Sequence, residues 1–200
     1  MSQAAIRAGV PEAIYHRRAV RSYTDQQPGE TLILELIDAA VRAPTAMHLE
    51  PWAFVVIQDR AMLERYSERS KAMLLEPELA VGWGSAGSSH HDHPGVLADP
   101  GFNIFYDAGT LIVICRTADT RFAEADCWLA AENLMLAAAA RGLGTCCIGY
   151  ALPVLNARDV KHELGIPHAG AAVAPIILGT PRGTVPAVSR KVPEILRWVR

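Results

Sequence analysis

Apolar positions along the chain follow two periods, one helical and one of short continuous runs. Between residues 30 and 42, Leu32, Ile33, Leu36, Ile37, Ala40 and Val41 recur at three- and four-residue spacing, the stripe of an amphipathic helix. Pro44 halts that pattern, because its ring cannot continue a helix and restricts the residue before it. Residues 52–58 (WAFVVIQ), 111–115 and 171–179 are apolar runs of strand length, as expected of buried strands. Asp59 is placed to cap a helix over residues 60–75. Residues 121–141 are rich in Ala and Leu and read as a largely buried helix, with Gly142 and Gly144 at its end. Pro11 and Glu12 suit the start of a helix within residues 11–21. Residues 157–164 predict another, with Asn156 as cap and Gly165 as stop, and residues 145–149 form a short apolar segment.

Two stretches break the pattern. Residues 76–101 contain five glycines, three prolines and His90, His91 and His93, which predicts a long loop or a lid beside a site. Residues 181–200 run through Pro181, Pro186 and Pro193 and read as an arm rather than a core element. No repeat and no second hydrophobic unit interrupts the chain, so residues 1–200 are expected to form one domain. Strands interleaved with helices give an α+β or α/β class, with one sheet covered by helices.

Composition narrows the function. Half of the 200 residues are hydrophobic and one fifth are charged, a globular balance. The formal net charge is −2, without the basic excess of a nucleic-acid binder. No apolar run approaches the ~20 residues that span a bilayer, so no membrane role is expected. The first residues lack a basic-then-apolar signal pattern, which points to the cytoplasm. Cys115, Cys127, Cys146 and Cys147 show no C-x-x-C spacing, so they read as reduced thiols rather than zinc ligands. His90, His91 and His93 lack the i, i+4 spacing of a helical metal site, and no metal is expected.

Four segments carry candidate chemistry. Arg17-Arg18-Ala19-Val20-Arg21 puts three arginines in five residues, which suits an anion site, although taken alone the cluster reads first as a solvated helix end. Residues 43–52 (APTAMHLEPW) form a loop stiffened by two prolines that offers Thr45, His48 and Glu50, or a rigid connection with Trp52 in the core. Residues 142–150 (GLGTCCIGY) let a backbone approach a flat ring, or simply stop a helix before a packed strand. They do not form a dinucleotide fingerprint, since the G-x-G-x-x-G spacing is absent. Gly179-Thr180-Pro181-Arg182, with Arg190-Lys191 beyond, adds a basic group after a strand.

In this order the four segments resemble the nitroreductase family, whose members typically show R-R-S-x-R, then A-P-S-x-x-N-x-Q-P-W, then G-L-G-x-x-x-x-G, then a G-x-P turn with basic residues beyond. The resemblance runs from about Tyr15 to Trp198 and includes FYDAGTLIVIC and DCWLAAENLMLAAAARGLG. It implies a mixed, mainly antiparallel sheet flanked by helices, in an intertwined homodimer with exchanged C-terminal arms. It also implies FMN held non-covalently in pockets shared by both subunits, with NADH or NADPH as electron donor. By matching position, Arg17, Arg18, Ala19 and Arg21, helped by Arg190 or Lys191, would hold the phosphate and ribityl chain. Pro44, Thr45, Ala46 and His48 would reach the FMN of the other subunit, and Cys147, Ile148 and Gly149 would line the isoalloxazine.

Three positions depart from the family pattern. Ala19 replaces a serine and removes a hydroxyl contact, His48 replaces an asparagine, and Glu50 replaces a glutamine. A carboxylate beside a reduced flavin is repelled, so Glu50 points away, is protonated or makes the flavin harder to reduce. The implied reaction passes a hydride from NAD(P)H through the flavin to nitroaromatics, quinones or related conjugated acceptors, in ping-pong order. No side chain is needed as nucleophile, acid or base. The rival expectations are reductive dehalogenation or small-molecule oxidation in the same fold, and a non-catalytic flavin or ligand binder.

Overall fold

The computed structural model describes residues 9–76 and 93–200. Four strands, β1 (Trp52–Ile57), β2 (Thr110–Arg116), β3 (Gly144–Cys147) and β4 (Ala171–Gly179), form one sheet in the order β1-β2-β4-β3. All three ladders are antiparallel, so this sheet is antiparallel rather than mixed. The parallel pairing among the described residues is an isolated bridge between Ala19 and Thr145. A bulge between Ile114 and Cys115 shifts the β2–β4 register.

The two central strands read as unbroken apolar runs because both of their faces are covered. Leu111, Val113 and Cys115 of β2 face one core, together with Ile177 of β4. Ile112 and Ile114 face the other, together with Ile176 and Leu178. The first core is closed by α3 (Arg60–Leu75), α4 (His93–Ala98), α6 (Leu152–Leu155) and α7 (Arg158–Glu163). The second is closed by α2 (Glu30–Ala40) and α5 (Ala123–Ala139). A short α1 (Val10–His16) precedes the arginines.

Local chemistry explains most boundaries. The Asp59 carboxylate accepts from the amides of Ala61 and Met62 at the start of α3, as its type predicts. Gly142 ends the α5 region with φ +73°, a conformation open to glycine. Helix α1 stops at His16, before the arginines, because Arg17 already has extended backbone. Asn156 does not cap α7. Its side chain instead bonds both the amide and the carbonyl of Ala172 at the start of β4. Helix α5 buries one face through Ala130, Ala131 and Leu134, but Trp128 and Leu129 are nearly half exposed.

Of the stretch expected to be a loop at residues 76–101, residues 77–92 lie outside the described residues, and with them Trp83, His90 and His91. The remainder includes α4, which starts at His93. Residues 182–200 form no helix or strand and expose Val192, Leu196 and Trp198. Among the described residues no helix is long and apolar enough to cross a membrane.

Candidate functional site

Three of the four candidate segments meet at the β3 edge of the sheet. The Val20 amide donates to the Thr145 carbonyl at 2.9 Å, beside the Ala19–Thr145 bridge. Four residues on, Tyr23 bridges Pro181, the Thr24 amide donates to Thr180, and the Arg182 amide donates to Ser22. This stitching requires two glycines that face each other across the β3–β4 ladder, Gly144 and Gly179. A Cβ on Gly144 would stand 2.7 Å from the Val20 Cβ, and one on Gly179 would stand 2.8 Å from the Tyr23 ring. The Tyr23 hydroxyl closes the turn by donating to the Val20 carbonyl at 2.6 Å. Burial pushes that phenol well above its ordinary range, so it stays a donor.

Cavities open along this N-terminal segment, including a polar one of about 500 Å³ bounded by Arg21, Tyr23, Asp25, Arg60 and Arg182. Of two others, one, of about 300 Å³, is lined by Arg21, Phe102, Ile104 and Tyr106 together with residues 146–150. Its walls are aromatic and aliphatic, and among the described residues its cation is Arg21, whose guanidinium lies 5.8 Å from the Tyr106 ring centroid. Tyr106 and Asp107 both hold left-handed backbone, φ 52° and 55°, a strained choice for such side chains. The second cavity, of about 360 Å³, is lined by Arg17, Arg18, Val20, Leu143, Pro181 and neighbouring residues. The buried Arg17 Nε stands 3.4 Å from the Glu132 carboxylate without a hydrogen bond to it. Arg18 is turned back onto the Tyr15 and Arg17 carbonyls.

The structure therefore separates the arginines. Arg17 and Arg18 share one cavity, while Arg21 faces the other, with Cys147, Ile148 and Gly149. Pro44, Thr45, Ala46 and His48 line neither cavity. They surround a single 3-10 turn, Ala46–His48, held by the buried Asp126 carboxylate, which accepts from the Ala46 amide at 3.1 Å. Met47, His48 and Glu50 all have left-handed φ, and all three are exposed. Arg190 and Lys191 lie on the exposed C-terminal tail, away from both cavities.

Sequence reasoning missed Phe102, Ile104 and Tyr106, which with Tyr150 form much of the first cavity. Their signal was the aromatic cluster FNIFYDAG just before a buried strand. The thiols are inert here. All four cysteines are free, and burial pushes Cys147 up to about 11 and both Cys115 and Cys127 up to about 12. Burial also raises Cys146, with Arg21 pulling the other way. Among the described residues no cluster of His, Cys, Asp or Glu could hold a metal ion.

Known proteins give the same picture. The family model described as the nitroreductase family matches residues 14–180. A protein of Archaeoglobus fulgidus, provisionally named NADH dehydrogenase/NAD(P)H nitroreductase, is 29% identical over 170 residues, covering 84% of this chain and 83% of its own. The crystal structure of a nitroreductase with bound FMN from Bacteroides fragilis is 25% identical, with a TM-score of 0.73 over 94% of this chain and all of the other. A second nitroreductase with bound FMN, from Desulfitobacterium hafniense, shares the fold with a TM-score of 0.76 at 22% identity, over 93% of this chain and 97% of its own. With a match over most of its length and the four segments in their expected order, this chain belongs to the nitroreductase family.

Proposed function

We propose that this protein is an FMN-dependent oxidoreductase that takes a hydride from NADH or NADPH and delivers it to nitroaromatic, quinone or related conjugated acceptors. The observation that carries the reading is the pair of cavities joined by residues 17–21, one lined by Arg17 and Arg18 beside Glu12, and one largely apolar with Arg21 as its arginine among the described residues. That division suits a ligand with an anionic tail and a conjugated ring. The residues present fit FMN. The buried Arg17 Nε stands 3.4 Å from the Glu132 carboxylate without a hydrogen bond to it, so it keeps a donor that a phosphate oxygen would satisfy.

In this reading Arg17 and Arg18 hold the phosphate, joined by Arg190 or Lys191 when the tail folds against a partner. Cys147, Ile148 and Gly149 support the ring. When bound there, FMN would supply hydride-transfer chemistry between nicotinamide and acceptor. The protein positions the reactants and keeps them dry between Phe102, Ile104 and Tyr106. Arg21 adds a fixed cation where negative charge develops. No side chain is assigned as acid, base or nucleophile, and the neutral thiols stay out of the chemistry.

The working unit is a homodimer. Residues 44–48 stand in a strained turn with Met47 and His48 exposed, apart from the two cavities beside residues 17–21, which suits a contribution to the partner's site. The exposed Val192, Leu196 and Trp198 suit an arm that packs across the partner. Four free cysteines agree with a reducing, cytoplasmic setting. The test is to extract the bound chromophore and follow NADH and NADPH oxidation with menadione and a nitrofuran. FMN and parallel double-reciprocal lines are expected. Release of no flavin, or a dependence on acceptor without any flavin, would overturn the reading.

A further inference from the structure

Three polar side chains sit on one stripe of helix α3 at i, i+3 and i+4 spacing, and all three are buried: Ser67, Ser70 and Lys71. Buried polar groups are costly unless paired, so their partners carry meaning. Each grips the backbone of a residue that lines the apolar cavity. Ser67 Oγ accepts from the Ile104 amide at 3.0 Å. The Ser70 hydroxyl donates to the Tyr150 carbonyl. Lys71 Nζ donates to the Phe102 carbonyl at 2.9 Å and to the Asp99 carbonyl at 3.2 Å, and faces the Glu68 carboxylate at 2.8 Å.

Lys71 is 4% exposed, and its three N–H donors find three acceptors. An apolar residue of similar length would fill that space without burying a charge. The ammonium instead fixes where the 99–102 turn stands relative to α3, and so where the Phe102 ring stands. Phe102 in turn meets Tyr106 edge-to-face, with centroids 5.5 Å apart. Tyr106 carries the strained backbone that this contact helps to hold.

We propose that Ser67, Ser70 and Lys71 form an internal clamp that sets the width of the acceptor cavity, with Lys71 as the positioning residue that decides which planar acceptors fit. This rests on the proposed function for the identity of the occupant, but the clamp itself is a property of the protein alone. Its substrates are compact planar conjugated acceptors, of one or two rings, that would enter between Phe102 and a flavin ring held against residues 147–149. Lys71 touches no reactant. It acts through the backbone of Phe102.

The test compares wild type with Lys71→Met and Lys71→Arg in two measurements. Amide hydrogen exchange in the flavin-free protein should rise at residues 102–106 in Lys71→Met and be partly restored in Lys71→Arg. In the FMN-loaded protein, the KM for menadione should rise at least about fivefold in Lys71→Met, while kcat and the FMN dissociation constant stay within about twofold. The preference for menadione over a bulkier three-ring quinone should shrink. If Lys71→Met fails to fold, Ser67→Ala is read in the same way at Ile104. An unchanged KM and unchanged acceptor preference in a flavin-loaded variant would overturn the clamp, as would a loss of FMN affinity in step with the rise in KM. A wild-type protein that takes up no FMN would overturn the proposed function, and the exchange measurement would still judge the clamp.

Discussion

Val20 packs over Gly144 so closely that the glycine has no room for a side chain, its Cβ position lying 2.7 Å from the valine Cβ and Cγ2. That contact holds the three arginines against the sheet edge. Gly144→Ala should therefore cost roughly 1–3 kcal/mol of stability, as overpacking of a rigid site does. It should also lower the flavin content of the purified protein. Denaturant unfolding and the visible-to-280 nm absorbance ratio report the two effects. Gly29→Ala is the control, since nothing lies within 4 Å of its Cβ and its φ is −72°. It should change stability by less than about 1 kcal/mol.

The Asp126 carboxylate is the buried anchor of the turn that presents Thr45, Ala46 and His48. Removing it leaves the Ala46 amide without its partner, a loss of about 1–3 kcal/mol. Asp126→Ala should weaken FMN binding, because residues 44–48 are assigned to the partner's flavin site. Fluorescence titration of flavin-free protein with FMN measures this. Unchanged affinity would take that turn out of the site.

Helix α3 is tied to α7 by Arg69 with Asp159 and by Arg65 and Tyr66 with Glu163. Hydrogen bonds from Arg69 hold Asp159 at about 2, below its ordinary carboxylate value, and Tyr66 and Arg65 lower Glu163 as well. Stability from a depressed carboxylate is complete above its unfolded value and lost as pH falls through the folded one. The difference in melting temperature between wild type and Asp159→Asn should thus be constant above about pH 5. It should shrink progressively below about pH 5 and disappear only towards about pH 1. A difference that stayed undiminished down to pH 2 would contradict the pairing.

Burial keeps the thiols neutral, with Cys147 at about 11 and Cys115 and Cys127 at about 12. At pH 8 the native protein should react with a disulfide reagent at least about tenfold more slowly than an exposed cysteine. All four thiols should appear on unfolding. A thiol that reacted at once at pH 7 would restore a cysteine to the list of catalytic candidates.

The long elements were legible because periodicity and end signals agreed. Asp59 marked the start of α3, and unbroken apolar runs marked β2 and β4. Boundaries failed where tertiary contacts outweighed local chemistry. Asn156 looked like a helix cap, but β4 offered it two backbone partners. The mainly antiparallel sheet was legible from the resemblance, and among the described residues its parallel part reduces to the Ala19–Thr145 bridge. Arg17 and Arg21 were legible as cations, yet their separation into two cavities depends on Val20 turning inward over Gly144. Phe102 and Tyr106 went unread because a cavity wall built by turns has no period to detect.

The most direct measurement of the central claim is the visible spectrum of the purified protein, taken anaerobically before and after addition of NADH or NADPH. The account predicts two flavin bands that bleach on adding reductant and return when a quinone is supplied. A colourless protein that takes up no added FMN, or flavin bands that neither nucleotide bleaches, would contradict it.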